Sequence, residues 1–251
     1  MLDLVEADIG GRRLRVAVTE RVDGDVHPIR TPPDVLRERQ HALTGRDWAM
    51  ADQRHGVDVW CVAANLPPSD PGVSRACSIG EVRPMADIVV VEASERGDRQ
   101  HRAAPAVAMW AADCATALLV TSSSRLVGVH AGWRGLAAGV IDRAVECARA
   151  DEHDIVHVSL GPVIHPCCYS FGAADLLAVA AGVHADPDTI RGRTTVGEPA
   201  LDVGAAVVEA LDHHGLVPNA RAGGCTGCGD RWFSHRVGVD TARHALVGWW
   251  R

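Results

Sequence analysis

The stretch most able to do chemistry is Val129-His130-Ala131-Gly132-Trp133-Arg134-Gly135, at the junction of an apolar run and a helical pattern. A histidine at the end of a buried strand points its ring into the crevice where α/β sheets hold ligands. The flanking glycines let the backbone turn sharply and approach another group closely. Arg134 lies near a helix start, where a guanidinium and free N–H groups together suit a phosphate or carboxylate. A structural turn bearing a surface arginine would use the same residues. Sixteen positions upstream of His130, Ala112-Asp113-Cys114 interrupts apolar runs. A polar pair there costs burial energy unless it is bound or hydrogen-bonded. The third stretch, Gln53-Arg54-His55-Gly56, again precedes an apolar run; alone, it reads as an ordinary turn.

No local zinc-finger spacing joins these three stretches. Taken together, His55, Cys114 and His130 offer two imidazoles and one thiolate, the ligand count of an open catalytic metal site rather than a closed structural one. Soft sulfur with imidazole suits zinc or copper. Asp113 is then a partner of a ligand or a general acid/base. Without a metal, the same residues read as a Cys114 nucleophile activated by His130, in a hydrolase.

These side chains need a scaffold, and the remaining pattern supplies one. Residues 1 to 20 predict a hairpin about Gly10-Gly11. Pro32-Pro33-Asp34 opens a helix over 34–44 that Gly45 closes. Strands are expected at Val57–Ala63 and 87–92, with a loop over Asn65–Gly80 and a polar surface connection over Glu95–Pro105. Three short apolar runs, Val107–Ala111, Ala117–Val120 and Leu126–Val129, predict strands buried within one sheet. An amphipathic stripe predicts a helix over Leu136–Ala150. A strand at Ile155–Leu160, helices at Gly172–Ala181 and Asp202–His214, and a last strand at Ala245–Trp250 follow. The expected fold is one α/β domain over 1–251, with mixed β-sheet layers flanked by helices.

Composition narrows the function classes. The net charge is -7 with no basic cluster against it, which argues against a nucleic-acid partner. No apolar run reaches the roughly 18 residues of a membrane span, and the acidic start of the chain is not a signal peptide. A cytoplasmic protein is expected, a monomer or weak homodimer, whose eight cysteines stay reduced. Neither common glycine-rich nucleotide cradle is present.

Several motifs occur in a fixed order: Gln53-x-His55-Gly56, Ala86-Asp87, Ala112-Asp113-Cys114, the segment His130 to Gly135, Gly161-Pro162-x-Ile164, and Cys225-Thr226 with Phe233-Ser234-x-Arg236. This series resembles the laccase-domain family (polyphenol oxidase, or multicopper oxidase type 4). Its members are also described as purine nucleoside phosphorylases with adenosine deaminase activity, and one bacterial branch as a peptidoglycan editing factor. The resemblance runs from about residue 50 to the C-terminus, and the segment His130 to Gly135 is its most specific element.

The resemblance implies zinc, with copper the alternative, on His55, Cys114 and His130. It implies purine nucleosides (adenosine, inosine, methylthioadenosine) and phosphate as substrates. Asp113, Cys114 and Arg134 become the catalytic candidates, and Gln53, Arg134, Ser234 and Arg236 the substrate contacts. The rival functions are a copper-dependent polyphenol oxidase, a Cys114 hydrolase acting on peptidoglycan precursors, and a metal-stabilised binding module. The chain departs from the family pattern at Arg54, where Val or Thr is usual, and at Val237 and Ala242, where Arg and Gly are usual.

Cys225-Thr226-Gly227-Cys228 resembles half a zinc ribbon, but Cys167-Cys168 is not the second Cys-x-x-Cys such a site normally has, so spacing argues against a second metal. His213-His214 reads as helix termination.

Overall fold

A computed structural model of the chain describes residues 1–62, 73–76, 83–93 and 104–251. Its strands are β1 (Leu2–Ile9), β2 (Arg12–Val18), β3 (Trp48–Ala49), β4 (Val59–Val62), β5 (Val73–Ala76), β6 (Ile88–Val91), β7 (Ala106–Ala111), β8 (Ala115–Thr121), β9 (Leu126–Ala131), β10 (Ile155–Leu160), β11 (Arg191–Arg193), β12 (Pro199–Leu201), β13 (Ala220–Arg221) and β14 (His244–Trp250). The helices are α1 (Pro33–Thr44), α2 (Trp133–Ala137), α3 (Val140–Arg149), α4 (Ala173–Gly182), α5 (Pro187–Ile190) and α6 (Val203–His213). No helix among the described residues is long and apolar enough to cross a membrane.

Two mixed sheets carry the fold. One has the order β1-β2-β14-β7-β3 and the other β13-β10-β8-β9-β6-β4-β5. They meet face to face through Leu14, Val16, Val107, Met109 and Leu246 of the first, and Trp60, Val89, Leu118 and Leu126 of the second. The outer face of the larger sheet is covered by α2 to α6, through Leu136, Ile141, Val145, Leu176 and Val207. The outer face of the smaller one packs Val247 and Trp249 with Leu36 of α1. The result is helix, sheet, sheet, helices, in agreement with the expected layers. Glycines set the spacing of the two sheets. A Cβ at Gly128 would lie 2.3 Å from Val107 Cγ1, and one at Gly248 would lie 2.3 Å from Leu118 Cδ2.

The N-terminal hairpin forms as expected, with Gly10 and Gly11 at φ +57° and +72°. Helix α1 ends on Gly45, also left-handed. Asp202 caps α6 by accepting from Ala205 N–H at 2.8 Å.

Three expectations are corrected. The three central apolar runs do not share a sheet: β7 belongs to the smaller, β8 and β9 to the larger. Burial on both faces follows equally from two stacked sheets, so apolar runs alone cannot separate the cases. The single helix over 136–150 is two, broken at Gly139 with φ +78°. Within the expected loop Asn65–Gly80, Val73–Ala76 forms β5, parallel to β4. The rest of that loop, and nearly all of the Glu95–Pro105 connection, lies outside the described residues.

Candidate metal centre

The change of sheet between β7 and β8 is made by Ala112-Asp113-Cys114, with Asp113 at φ +102°. That crossing places Cys114 at the N-terminal end of β8, beside the C-terminal end of β9 that carries His130. In β9, Val127, Val129 and Ala131 face the helices, while Leu126 faces the smaller sheet. Strand alternation then puts His130 on the face shared with Leu126, at the mouth of the space between the sheets. Asp87, just before β6, stands on the face of Val89 and Val91 by the same alternation. His130 N–H donates to the Asp87 carbonyl at 2.8 Å, which extends the β6–β9 ladder to this pair.

Asp87 is fully buried and organises the site. Its Oδ1 meets His130 Nδ1 at 2.8 Å and accepts from His55 N–H at 2.9 Å. Its Oδ2 accepts from Arg54 and Gly56 N–H at 3.1 and 2.7 Å. A buried carboxylate that gathers four donors is stabilised as the anion. Although burial by itself pushes Asp87 up, these partners, His130 foremost, hold it below the ordinary carboxylate range. The carboxylate also holds His55 at a left-handed φ of +62°. With Nδ1 bonded to Asp87, His130 keeps Nε2 for a ligand, the arrangement of a metal-binding histidine oriented by a carboxylate.

One donor atom from each of His55, Cys114 and His130 lies within 4.8 Å of the others. Cys114 Sγ is 3.7 Å from His55 Nε2, and the two imidazoles stand nearly perpendicular at 75°. Tetrahedral zinc, with bonds of about 2.0–2.3 Å to N and S, sets such donors about 3.5 Å apart, so the set fits the ion. Gly132 completes the cradle, because a Cβ there would lie 2.4 Å from His55 Cδ2 and 3.4 Å from Cys114 Sγ. Burial alone would raise the Cys114 thiol, but His130 and His55 outweigh it and bring it to about 6. Burial likewise opposes charge on His130, yet Asp87 and Cys114 raise it to about 9. The pocket therefore favours thiolate, the form that binds metal.

Gln53 is buried, and its amide clasps Trp110, donating to the carbonyl at 2.7 Å and accepting from the N–H at 3.1 Å. Asp113 is also buried, with both carboxylate oxygens engaged. Thr226 Oγ1 donates to Oδ1 at 2.6 Å, and Arg236 N–H to Oδ2 at 2.7 Å. Ser234 is buried, with Oγ accepting from Val237 N–H at 3.2 Å. Arg134 and Arg236 are exposed. Arg134 lies over Trp133, Arg236 over Tyr169, and Phe171 touches both rings at 5.4 Å. A strip of three aromatic rings thus joins the two arginines. The atypical Arg54 is ion-paired with Asp52.

Sequence reasoning gave no site role to Asp87, Tyr169, Phe171 or Arg243. The Arg243 guanidinium sits close enough to Cys114 and Asp113 to feel their charge, and burial lowers its pKa. Two signals in the sequence mark Asp87: an aspartate at the mouth of an all-apolar strand, and its place in the motif Ala86-Asp87.

Several known proteins are similar over most of this chain. The purine nucleoside phosphorylase YlmD of Geobacillus stearothermophilus is 32% identical over 80% of this chain and 70% of its own length. The purine nucleoside phosphorylase SCO2081 of Streptomyces coelicolor is 32% identical over 79% of this chain and 73% of its own. Among solved structures, NMB0706 of Neisseria meningitidis shares the fold with a TM-score of 0.70 at 21% identity, covering 98% of each chain. The YlmD crystal structure gives 0.68 at 22% identity, over 96% of this chain and 91% of that one. The sequence model of one family matches residues 31–251, nearly the whole chain. The chain belongs to that family, described as multi-copper polyphenol oxidoreductase laccase.

Proposed function

We propose that this chain is a zinc-dependent purine nucleoside phosphorylase acting on adenosine, inosine and methylthioadenosine, with adenosine deaminase activity at the same site. The observation that carries the reading is the set His55, Cys114 and His130. It offers three donors, two of them on histidines held by Asp87, on a chain whose curated relatives are named purine nucleoside phosphorylases.

Bound zinc would supply Lewis acidity at its remaining position, polarising a substrate oxygen or lowering the pKa of water. The residues around it divide the other work. Phe171 and Trp133, both partly exposed, give a purine ring aromatic surface to stack on. Arg134 and Arg236 at the two ends of the three-ring strip, with Arg243 near Cys114, supply positive charge for phosphate. Asp113, next to Cys114 in the chain and fixed by bonds from Thr226 Oγ1 and Arg236 N–H, is the candidate to move protons. Gln53, clasped to Trp110, fixes the turn that carries His55.

Phosphorolysis converts adenosine and phosphate into adenine and ribose 1-phosphate; deamination converts adenosine and water into inosine and ammonia. Product analysis with and without phosphate tests the reading. Release of adenine that requires phosphate is the expected result, and ammonia independent of phosphate marks the deaminase. The family description favours one second reading, a copper oxidase. Oxygen uptake with a phenol by the copper-loaded protein, without nucleoside turnover in any metal form, would establish it instead.

A further inference from the structure

A second group of possible ligands lies outside the site above. Cys167, Cys168, Cys225 and Cys228 bring their four Sγ atoms within 4.8 Å of one another. Three of the separations are 3.7 Å (Cys167–Cys168), 3.7 Å (Cys167–Cys228) and 3.5 Å (Cys168–Cys228). A tetrahedron of thiolates around zinc, with Zn–S about 2.3 Å, has edges of about 3.8 Å. The thiols thus stand at the spacing of ligands that share an ion.

Adjacent cysteines are poor joint ligands on an extended chain, and the local fold removes that objection. Pro166–Cys168 form one 3-10 turn, with Cys168 N–H bonded to His165 O at 3.0 Å and Tyr169 N–H to Pro166 O at 3.2 Å. The turn sets both sulfurs toward the second segment. There, Cys228 N–H closes on Cys225 O at 3.1 Å. His165 N–H donates to Cys225 Sγ at 3.2 Å, a bond that stabilises a thiolate. Gly227 lets the segments meet, since a Cβ there would lie 2.8 Å from Cys168 Cβ.

We infer that these four cysteines form a structural zinc site that ties the 165–169 turn to the 225–228 turn. Next to its ligands are Tyr169, under Arg236, and Thr226, which holds Asp113. The second ion therefore braces the wall of the first site without joining its chemistry.

The test is metal content of the full chain purified under reducing conditions, for the unmutated protein, Cys228→Ser, Cys114→Ala and the double variant. Cys228 is exposed, so its replacement leaves the core intact. Two zinc ions are expected in the unmutated protein, one in each single variant and none in the double. Cobalt-loaded Cys114→Ala should keep strong thiolate-to-cobalt absorption, and the double variant should lose it. A zinc content that Cys228→Ser leaves unchanged would overturn the inference. So would an as-purified protein in which these four thiols are oxidised to disulfides. Loss of zinc in Cys114→Ala alone would sink this inference and leave the first site standing.

Discussion

At the scale of single residues, Asp87 and Cys114 set the properties of the candidate centre. In metal-stripped protein the Cys114 thiol sits at about 6, against an ordinary 9.0, because His130 and His55 favour its anion. Alkylating reagents attack thiolate, so the rate rises with pH and levels off once the thiol is ionised. Iodoacetamide labelling of Cys114 in stripped protein is expected to show its midpoint about three pH units below that of an ordinary thiol. A midpoint near 9 would show that the imidazoles do not act on it. Asp87→Asn removes the carboxylate that fixes the orientation of the His130 ring and leaves Nε2 for a metal. Removing such a partner typically costs about 10- to 100-fold in metal affinity. Competition against a chelating dye should show a loss of that size; an unchanged affinity would mean that Asp87 only shapes the turn at His55.

At the scale of elements, the site depends on three chain reversals that meet at the mouth between the sheets: the turn before β4, the crossing between β7 and β8, and the step from β9 into α2. Gly132 lies in the last of these, with space for no side chain against His55. Gly132→Ala should therefore remove the one zinc ion held by His55, Cys114 and His130 while far-ultraviolet circular dichroism stays native; a zinc content equal to that of the unmutated protein would contradict the packing. Much of this level was legible in the sequence. Turn glycines marked the hairpin and the end of α1, and the motifs carrying His55, Cys114 and His130 pointed to the residues that the fold brings together. What was not legible depends on contacts distant in sequence. The break at Gly139 falls inside an unbroken apolar stripe, because that stripe continues across both helices. The four-cysteine cluster depends on a 3-10 turn that makes adjacent residues converge, a geometry that spacing rules do not anticipate. The partners of Asp113 (Thr226 Oγ1 and Arg236 N–H) and of Gln53 (the Trp110 backbone) are likewise distant in sequence, so spacing does not disclose them.

At the scale of the whole molecule, the stacked sheets form the frame that holds the site in register. The N-terminal hairpin and the last strand share the smaller sheet, with β14 between β2 and β7, so both ends of the chain brace the layer facing the centre. Gly248 is where β14 packs against Leu118 of β8. Gly248→Ala forces a methyl into that contact and should destabilise the fold by about 1–3 kcal/mol, the usual range for overpacking a core. Urea denaturation would measure this, with zinc content per folded chain unchanged; a neutral substitution would show that the sheets can part at no cost.

The central claim joins metal to reaction, and one experiment tests both parts. Protein purified without added metal, alongside Cys114→Ala, is analysed for zinc and then given adenosine with phosphate. The account predicts that the variant loses one zinc per chain and, with it, the phosphate-dependent release of adenine. Adenine release that persists in a variant lacking that zinc, or none from the zinc-loaded unmutated protein, would contradict it.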